Sequence, residues 1–209
     1  PTHIYGGCGY MWDGIYVTGG TGTQNDGILN INNGTRVEDA LYAVYSDNDG
    51  GDFHIDNSFF DLNYVSVHAF NRGHFGFSNI TYNQFDASGP LKPTLAPAPM
   101  VTNTFAHIDA QNINEIITAD NNTFNPGSEY GIYAIKVGRL ESFQNRFTKP
   151  AKAGIYGEYV KEMIVNDFNA FSQCPSGIEC YQTDLRVDNQ NSFASGNFGI
   201  VAAKKSSCK

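Results

Sequence analysis

Short runs of alternating apolar and polar residues follow one another along the whole chain. Phe53–Asp56 (FHID) and Gly131–Lys136 (GIYAIK) are examples, and such runs are bounded by Gly, Asn, Asp or Pro. Alternation with a period of two is typical of β-strands, and these four residue types mark turns. No apolar stripe with the 3.6-residue period of a helix persists for more than a turn or two. The pattern therefore predicts an all-β protein built from short strands.

Two sequence markers recur with the same spacing. Asn-x-Phe motifs are separated by steps of 26, 39, 23, 24 and 22 residues, and apolar anchors by steps of 26, 24, 43, 24, 23, 23 and 22. Two independent markers that share one period indicate a repeat protein. The motifs are Asn57–Phe59, Asn83–Phe85, Asn122–Phe124, Asn145–Phe147, Asn169–Phe171 and Asn191–Phe193, and the anchors are Ile15, Leu41, Val65, Ile108, Ile132, Ile155, Ile178 and Ile200.

A repeat of this length without a helix is typical of one coil of a parallel β-solenoid. Each residue then lies about 4.8 Å from its counterpart in the next coil, so that Phe stacks on Phe. We expect each Asn of the motif at a corner, where Asn tolerates the left-handed conformation. The Gly that often precedes an anchor is expected where a positive φ or crowding excludes a Cβ. The predicted ladder is Asn57, Asn83, Asn122, Asn145, Asn169 and Asn191 with Phe59, Phe85, Phe124, Phe147, Phe171 and Phe193.

The two long steps of 39 and 43 residues share one explanation. A Pro-rich stretch over residues 90–103 lies inside both, and its removal restores the period. Since Pro cannot donate to a central ladder, this stretch is expected to be a surface loop. The sequence therefore predicts a right-handed parallel β-helix of about eight coils with one loop insertion. We expect a single domain over residues 1–209 that belongs to a longer chain, because the repeat is already running near Trp12 and still runs at Ile200.

Charge and composition limit the classes of partner. The chain has 209 residues with 13 basic and 21 acidic side chains, which gives a net charge of −8. This balance argues against nucleic acid and against anionic membrane surfaces, which bind basic faces. No apolar run approaches the roughly 18 residues of a membrane span. Only 16% of the residues are charged and 22 are Gly, which agrees with a turn-rich β protein.

The four cysteines raise the question of a disulfide. Cys174 and Cys180 bound a short loop that one disulfide could close, and two free thiols are the alternative. A disulfide there would indicate an oxidising compartment. Cys8 and Cys208 lie near opposite ends of the predicted solenoid, beyond the roughly 7 Å between Cα atoms that a disulfide allows. The spacing does not match a zinc site.

Candidate chemistry is expected on the outer wall, where adjacent coils bring side chains into line. The residue after each anchor is expected to face outward, which gives Tyr16, Tyr42, Ser66, Asp109, Tyr133, Tyr156, Glu179 and Val201. Tyr133 and Tyr156 could bind sugar rings, or could simply stabilise the sheet through aromatic contacts. The five histidines show no spacing typical of a metal site or a catalytic motif.

Acidic residues supply two further hypotheses. Glu158 and Glu179 lie on adjacent coils and are the candidate catalytic pair, because glycoside hydrolysis uses two carboxylates. Two solvated acids on an exposed strand are the plainer interpretation. Asp47, Asp49 and Asp52 form the densest acidic cluster and are candidate Ca²⁺ ligands. They do not follow the EF-hand pattern, and Asp, Asn and Gly are also common turn residues. No other cofactor is expected.

Several segments resemble one group of known proteins. The most specific part is Met11-Trp12-Asp13-Gly14-Ile15 followed by Val37–Val44 (VEDALYAV), and the stretch GIYAIKVGRLESFQNRF from Gly131 belongs to the same resemblance. They resemble the right-handed parallel β-helix regions of large secreted Bacteroidetes proteins, many of which are exported by the type IX secretion system. The resemblance implies a secreted or surface-attached protein and gives no activity.

Three functions follow as hypotheses. The leading one is a non-enzymatic, rigid β-helix segment of a secreted or cell-surface protein, such as an adhesin, a stalk or a display scaffold. Its partners would be other domains of the same chain, the secretion machinery and surface glycans. The first alternative is a carbohydrate-active enzyme, either a polysaccharide lyase or a glycoside hydrolase. The second is a passive carbohydrate-binding module.

Overall fold

The structure is a computed structural model that describes residues 2–19, 27–47, 50–71, 77–95, 100–203 and 206–208. Within these ranges it contains β-strands and no helix. In chain order the strands are β1 (His3–Tyr5), β2 (Ile15–Tyr16), β3 (Ile28–Ile31), β4 (Arg36–Glu38), β5 (Tyr42–Asp47), β6 (Asp52–Asp56), β7 (Phe59–Asp61), β8 (Val65–Phe70), β9 (Phe77–Thr81), β10 (Gln84–Phe85), β11 (Ala106–Asp120), β12 (Thr123–Phe124), β13 (Tyr130–Phe143), β14 (Arg146–Thr148), β15 (Ala153–Glu158), β16 (Glu162–Asn166), β17 (Ala170–Ser172), β18 (Ser176–Tyr181), β19 (Asp184–Val187), β20 (Ser192–Ala194), β21 (Phe198–Ala203) and β22 (Ser207–Cys208).

The strands form three parallel faces, and each coil contributes one strand to each face. The first face has the order β1-β4-β7-β10-β12-β14-β17-β20, and the second has the order β2-β5-β8-β11-β13-β15-β18-β21. The third face runs β3-β6-β9-β11-β13-β16-β19-β22, because the long strands β11 and β13 belong to both the second and the third face. Eight strands per face give seven coil-to-coil steps. The predicted parallel β-solenoid is confirmed.

A column of stacked phenylalanine rings fills the interior behind the first face. Neighbouring ring centroids along it are separated by 5.2, 5.1, 4.6, 4.8 and 4.9 Å. Spacing close to the distance between strands means that each ring lies on the ring of the next coil. The column consists of Phe60, Phe85, Phe124, Phe147 and Phe171, which are buried, and of Phe193 at its end, which is 39% exposed.

The first predicted ladder motif is displaced by one residue. Strand pairing sets Phe60, not Phe59, beside Phe85. Phe59 is 41% exposed, whereas Phe60 is fully buried. Consecutive strand residues face opposite sides of a sheet, so only one of the two can enter the column. The prediction that Asn57 and Phe59 belong to the ladder is therefore wrong, and Ser58 and Phe60 occupy those places.

A ladder of asparagines, all of them buried except the half-buried Asn191, holds each coil to the next. The side-chain oxygen of Asn145 accepts the backbone N–H of Asn122 at 2.8 Å, and its amide donates to the Ala119 carbonyl at 2.7 Å. The other members repeat this pair of bonds to the preceding coil. Each amide thus satisfies one backbone donor and one backbone acceptor that the corner would otherwise leave unpaired. The ladder is Asn83, Asn122, Asn145, Asn169 and Asn191.

The left-handed corner lies one residue before each ladder asparagine. Positive φ angles near 50–65° occur at Tyr82, Asn121, Gln144, Phe168 and Gln190, while the ladder asparagines themselves do not have positive φ. Asn57, at φ 44°, takes the same corner position ahead of Ser58. The expectation that the ladder Asn itself adopts this conformation is wrong: its role is to bond the adjacent coil.

Glycines on the second face make room for the phenylalanine rings. A Cβ on Gly131 would lie 2.6 Å from the Phe147 ring, and one on Gly154 would lie 2.7 Å from Phe171. Neither glycine has a positive φ. Of the two predicted reasons for these glycines, crowding is therefore the one observed. Strand pairing places His107 at this position one coil before Gly131.

The His107 side chain occupies the interior in place of a glycine. Its ring lies 5.6 Å from Phe85 and 6.0 Å from Phe124, and it is fully buried. Among the described residues neither ring nitrogen makes a hydrogen bond of good geometry. Burial lowers the pKa of His107 to about 4, and the nearby Asn125 backbone and Asp61 carboxylate offset this only in part. The ring is therefore neutral in the folded protein near neutral pH.

The Pro-rich insertion connects β10 to β11. Residues 86–95 and 100–105 contain no strand. The loop folds back toward the first coil, where the Lys92 ammonium lies 2.7 Å from the Asp39 carboxylate. The Pro93 carbonyl also accepts the backbone N–H of Met11 at 3.0 Å. The insertion thus lies along the corner between the first and second faces.

Phe147→Ala should lower the free energy of unfolding by about 3–5 kcal/mol, because it opens a cavity in the middle of the phenylalanine column. Equilibrium urea denaturation measures this. Phe59→Ala is the matched control, since that ring lies outside the column, and we expect it to cost less than about 1 kcal/mol. A similarly small cost for Phe147→Ala would contradict the stacked interior.

His107 should make the protein less stable in acid. The unfolded chain binds a proton at the ordinary histidine pKa of about 6.5, whereas the folded chain binds it only near pH 4. The contribution of the neutral His107 to the free energy of unfolding is therefore fully present above pH 6.5. It is lost as the pH falls toward 4, and the loss is about 3 kcal/mol at most. In urea denaturation at several pH values, His107→Gln should show a shallower loss than the wild type. Parallel curves for the two proteins would disprove this contribution.

Candidate functional site

One outward-facing column runs down the second face. Strand pairing aligns its members in the order Tyr16, Tyr45, His68, Asp109, Tyr133, Tyr156, Glu179 and Val201, which we call the outer column. Six of the eight were expected from the sequence. The other two predictions were wrong: Tyr45 and His68 occupy the places expected for Tyr42 and Ser66. The error lay in the anchors, because strand pairing aligns Val44 and Val67, not Leu41 and Val65, with the anchors of the other coils. Ser66 is buried.

A second outward column lies two residues further along each strand. Its aligned members are Asp47, Phe70, Gln111, Ile135, Glu158, Tyr181 and Ala203. The two columns exchange hydrogen bonds between tyrosines and acids. The Tyr45 hydroxyl donates to Asp47 at 2.9 Å, and the Tyr156 hydroxyl donates to Glu158 at 3.0 Å. The wall therefore combines aromatic rings with carboxylates that are held by phenols.

Tyr133 and Tyr156, the predicted sugar-binding residues, stack on each other. Their ring centroids are 5.0 Å apart, with an angle of 11° between the planes. Since the stacking direction runs from coil to coil, the rings cover each other's faces and present their edges to solvent. A flat platform for sugar rings needs open faces, so this geometry favours the role of a cross-strand aromatic pair. Burial and the Glu158 carboxylate raise the pKa of Tyr156, so its hydroxyl stays protonated.

Glu158 and Glu179, the candidate catalytic pair, lie diagonally on adjacent coils. Pairing sets Glu158 beside Tyr181 and Glu179 beside Tyr156. Each carboxylate accepts a tyrosine hydroxyl, and the Tyr181–Glu179 bond is 2.6 Å long. These bonds tie both acids to neighbours on their own strands. Their catalytic role remains a prediction.

The acidic cluster proposed for Ca²⁺ spans a corner. Asp47 ends β5, and Asp52 begins β6 on the third face. Asp47 accepts the Tyr45 hydroxyl. Asp49 lies outside the described residues. Over the part of the chain that the structure describes, no three His, Cys, Asp or Glu side chains are grouped closely enough to hold a metal ion.

The predicted disulfide between Cys174 and Cys180 is not formed. Strand β18, Ser176–Tyr181, covers Cys180 and most of the residues between the two cysteines, so the segment is extended and is not a closed loop. At about 3.3 Å per residue, this strand separates the two Cα atoms well beyond the roughly 7 Å limit for a disulfide. Both side chains are buried in the core. The inference of an oxidising compartment from this pair is lost with it. Cys8 is an exposed free thiol.

A His–Asp pair on the outer column was missed in the sequence. His68 Nδ1 lies 2.8 Å from Asp109 Oδ2, and both side chains are buried. The two residues are 41 positions apart, because the Pro-rich insertion lies between their coils. The missed signal was the anchor: counting from Val67 instead of Val65 places His68 directly beside Asp109.

Comparison of the chain with models of known families, with curated proteins and with solved structures finds no match. None of the described residues forms a helix long and apolar enough to cross a membrane.

Cys174 should resist thiol reagents in the folded protein. Burial raises the pKa of its thiol from 9.0 to about 11, which lowers the thiolate fraction roughly 100-fold even before access is considered. We expect DTNB to modify Cys8 at once and Cys174 only after denaturation, as located by mass spectrometry of peptides. Equal rates at the two positions, or a Cys174–Cys180 disulfide in the same maps, would contradict the buried thiol.

Proposed function

We propose that the chain is a non-enzymatic, rigid β-helix segment of a secreted or cell-surface protein, where it serves as a stalk, an adhesin segment or a display scaffold. The observation that supports this is the unbroken stacking of the asparagine and phenylalanine columns through successive coils. Such a structure resists bending, because successive coils are bonded to each other along three parallel faces.

The dimensions suit a spacer with side chains displayed on a fixed lattice. Seven coil-to-coil steps of about 4.8 Å give a solenoid roughly 34 Å long. Side chains on the outer column are then held at regular intervals with little conformational freedom. This regularity allows the outer wall to vary in sequence while the interior keeps the register.

The extracellular location rests on the resemblance to secreted Bacteroidetes β-helices, and export by a type IX system belongs to the same proposal. In that setting the partners are further domains of the same chain, the secretion machinery and surface glycans. Labelling intact cells of the source organism with a membrane-impermeant biotin reagent tests the location. Protection of the chain until the cells are lysed would refute it.

The scaffold role predicts rigidity without turnover. In hydrogen exchange, the backbone amides of Asn122, Asn145 and Asn169 should exchange only through global unfolding, because each is bonded to the next ladder asparagine. Incubation with neutral and uronate polysaccharides should release no reducing ends and no unsaturated products. Release of product that disappears in Glu158→Gln would instead establish a carbohydrate-active enzyme.

A further inference from the structure

We propose that Tyr42, Tyr45, His68 and Asp109 form a binding site for a neutral oligosaccharide, with the His68 imidazole as its polar anchor. The site lies on the second face, over coils adjacent to the Pro-rich insertion. It goes beyond the scaffold role and does not depend on it.

The Asp109 carboxylate fixes the orientation and the tautomer of His68. Its Oδ2 lies 2.8 Å from His68 Nδ1, so that Nδ1 carries a proton and its N–H donates a hydrogen bond to the carboxylate. The Gln111 amide donates to both oxygens of Asp109, at 2.9 and 3.1 Å, and so holds the carboxylate in place. With Nε2 unprotonated, as we propose, its lone pair is a fixed hydrogen-bond acceptor.

His68 Nε2 is the atom through which the site reaches a ligand. His68 occupies an outward position on β8, and Nε2 is the ring nitrogen further from the backbone. It makes no hydrogen bond to any described residue, and it is not among the fully buried, unpartnered atoms of the described chain. An oriented acceptor at the outer edge of a buried ring is suited to accept a hydrogen bond from a ligand hydroxyl group.

Aromatic rings frame the imidazole. The centroids of Tyr42, Tyr45 and Phe70 lie 4.7, 5.0 and 5.7 Å from that of His68, at angles of 14–32° between the planes. These rings are half-buried and are stacked on the imidazole, so they contribute apolar edges around Nε2 and not an open face for a sugar ring. Apolar surface around a few oriented polar groups is the usual composition of a small-ligand site, and it matches the C–H groups and hydroxyls of a sugar.

Within the four residues of the site the one carboxylate is buried, and the partly exposed Asp47 beside the site accepts the Tyr45 hydroxyl at 2.9 Å. Asp109 is 3% exposed, and its oxygens are already bonded to Gln111 and His68, so its charge is not offered to solvent. Burial raises the pKa values of Tyr42 and Tyr45, which keeps both phenols neutral. The net charge of −8 further disfavours an anionic ligand. A neutral sugar hydroxyl, which both donates and accepts, fits the imidazole lone pair and the Tyr42 hydroxyl.

The test is an NMR titration of the full chain with cello-, xylo-, malto- and manno-oligosaccharides. We expect at least one of them to shift the resonances of His68 and its neighbours and to bind saturably. His68→Phe keeps a ring but removes the acceptor, and should weaken binding about tenfold, the effect of one lost hydrogen bond to an oriented group. Tyr159→Phe, an exposed tyrosine between β15 and β16 and away from the site, should bind like the wild type.

A second measurement tests the tautomer independently of the ligand. The ¹⁵N shifts of His68 should show a protonated Nδ1 and an unprotonated Nε2, and Asp109→Asn should abolish this preference and weaken binding. Circular dichroism checks that each variant is folded. No binding by any of these neutral oligosaccharides, equal binding by His68→Phe, or tighter binding of uronate or chitosan oligomers would overturn the proposal. None of these outcomes bears on the scaffold role, which is read from hydrogen exchange and turnover.

Discussion

The register between successive coils is the constraint on which the rest of the structure depends. Consecutive strand residues face opposite sides, so a slip of one residue would move every core side chain to the surface. The buried asparagines prevent such a slip. Each places its amide against one N–H and one carbonyl of the preceding coil, and a one-residue slip would turn that amide away from both. The phenylalanine column then fills the interior that this register defines.

A fixed register separates the demands on the interior from those on the outer wall. Inside, the ring of one coil excludes a Cβ from the glycine that faces it, as Gly131 and Phe147 show. Outside, the same coil spacing aligns Tyr133 with Tyr156 and Asp109 with His68, although nothing in the core requires these residue types. Functional side chains can therefore occupy outward positions without any change in the packing of the core.

The period of the repeat was sufficient to predict the fold, because identical positions in successive coils need the same residue types. It was not sufficient to assign every residue to its face. Asn57-Ser58-Phe59 matches the motif in letters, but Phe60 enters the column, since either of two consecutive phenylalanines satisfies the composition. Ser58 can occupy the ladder position because the hydrogen bond to the Asn83 side chain comes from its backbone N–H and not from its own side chain. The Cys174–Cys180 disulfide failed for a related reason: spacing along the sequence does not show that the intervening residues are extended.

The coil that begins with β11 departs from the repeat both inside and outside. His107 stands where the later coils have glycine, and Asp109 stands where they have Tyr133 and Tyr156. The Pro-rich insertion enters the solenoid immediately before this coil, and the partner of Asp109, His68, lies on the coil just before the insertion. Departures from locally consistent sequence concentrate where a protein binds or reacts. Three departures meet at one level of an otherwise regular solenoid: the buried His107, the His68–Asp109 pair and the Pro-rich insertion. Their coincidence is an argument for function at this level. Uniform stacking alone would have been served better by repeating the Gly-Ile-Tyr of the coils that follow.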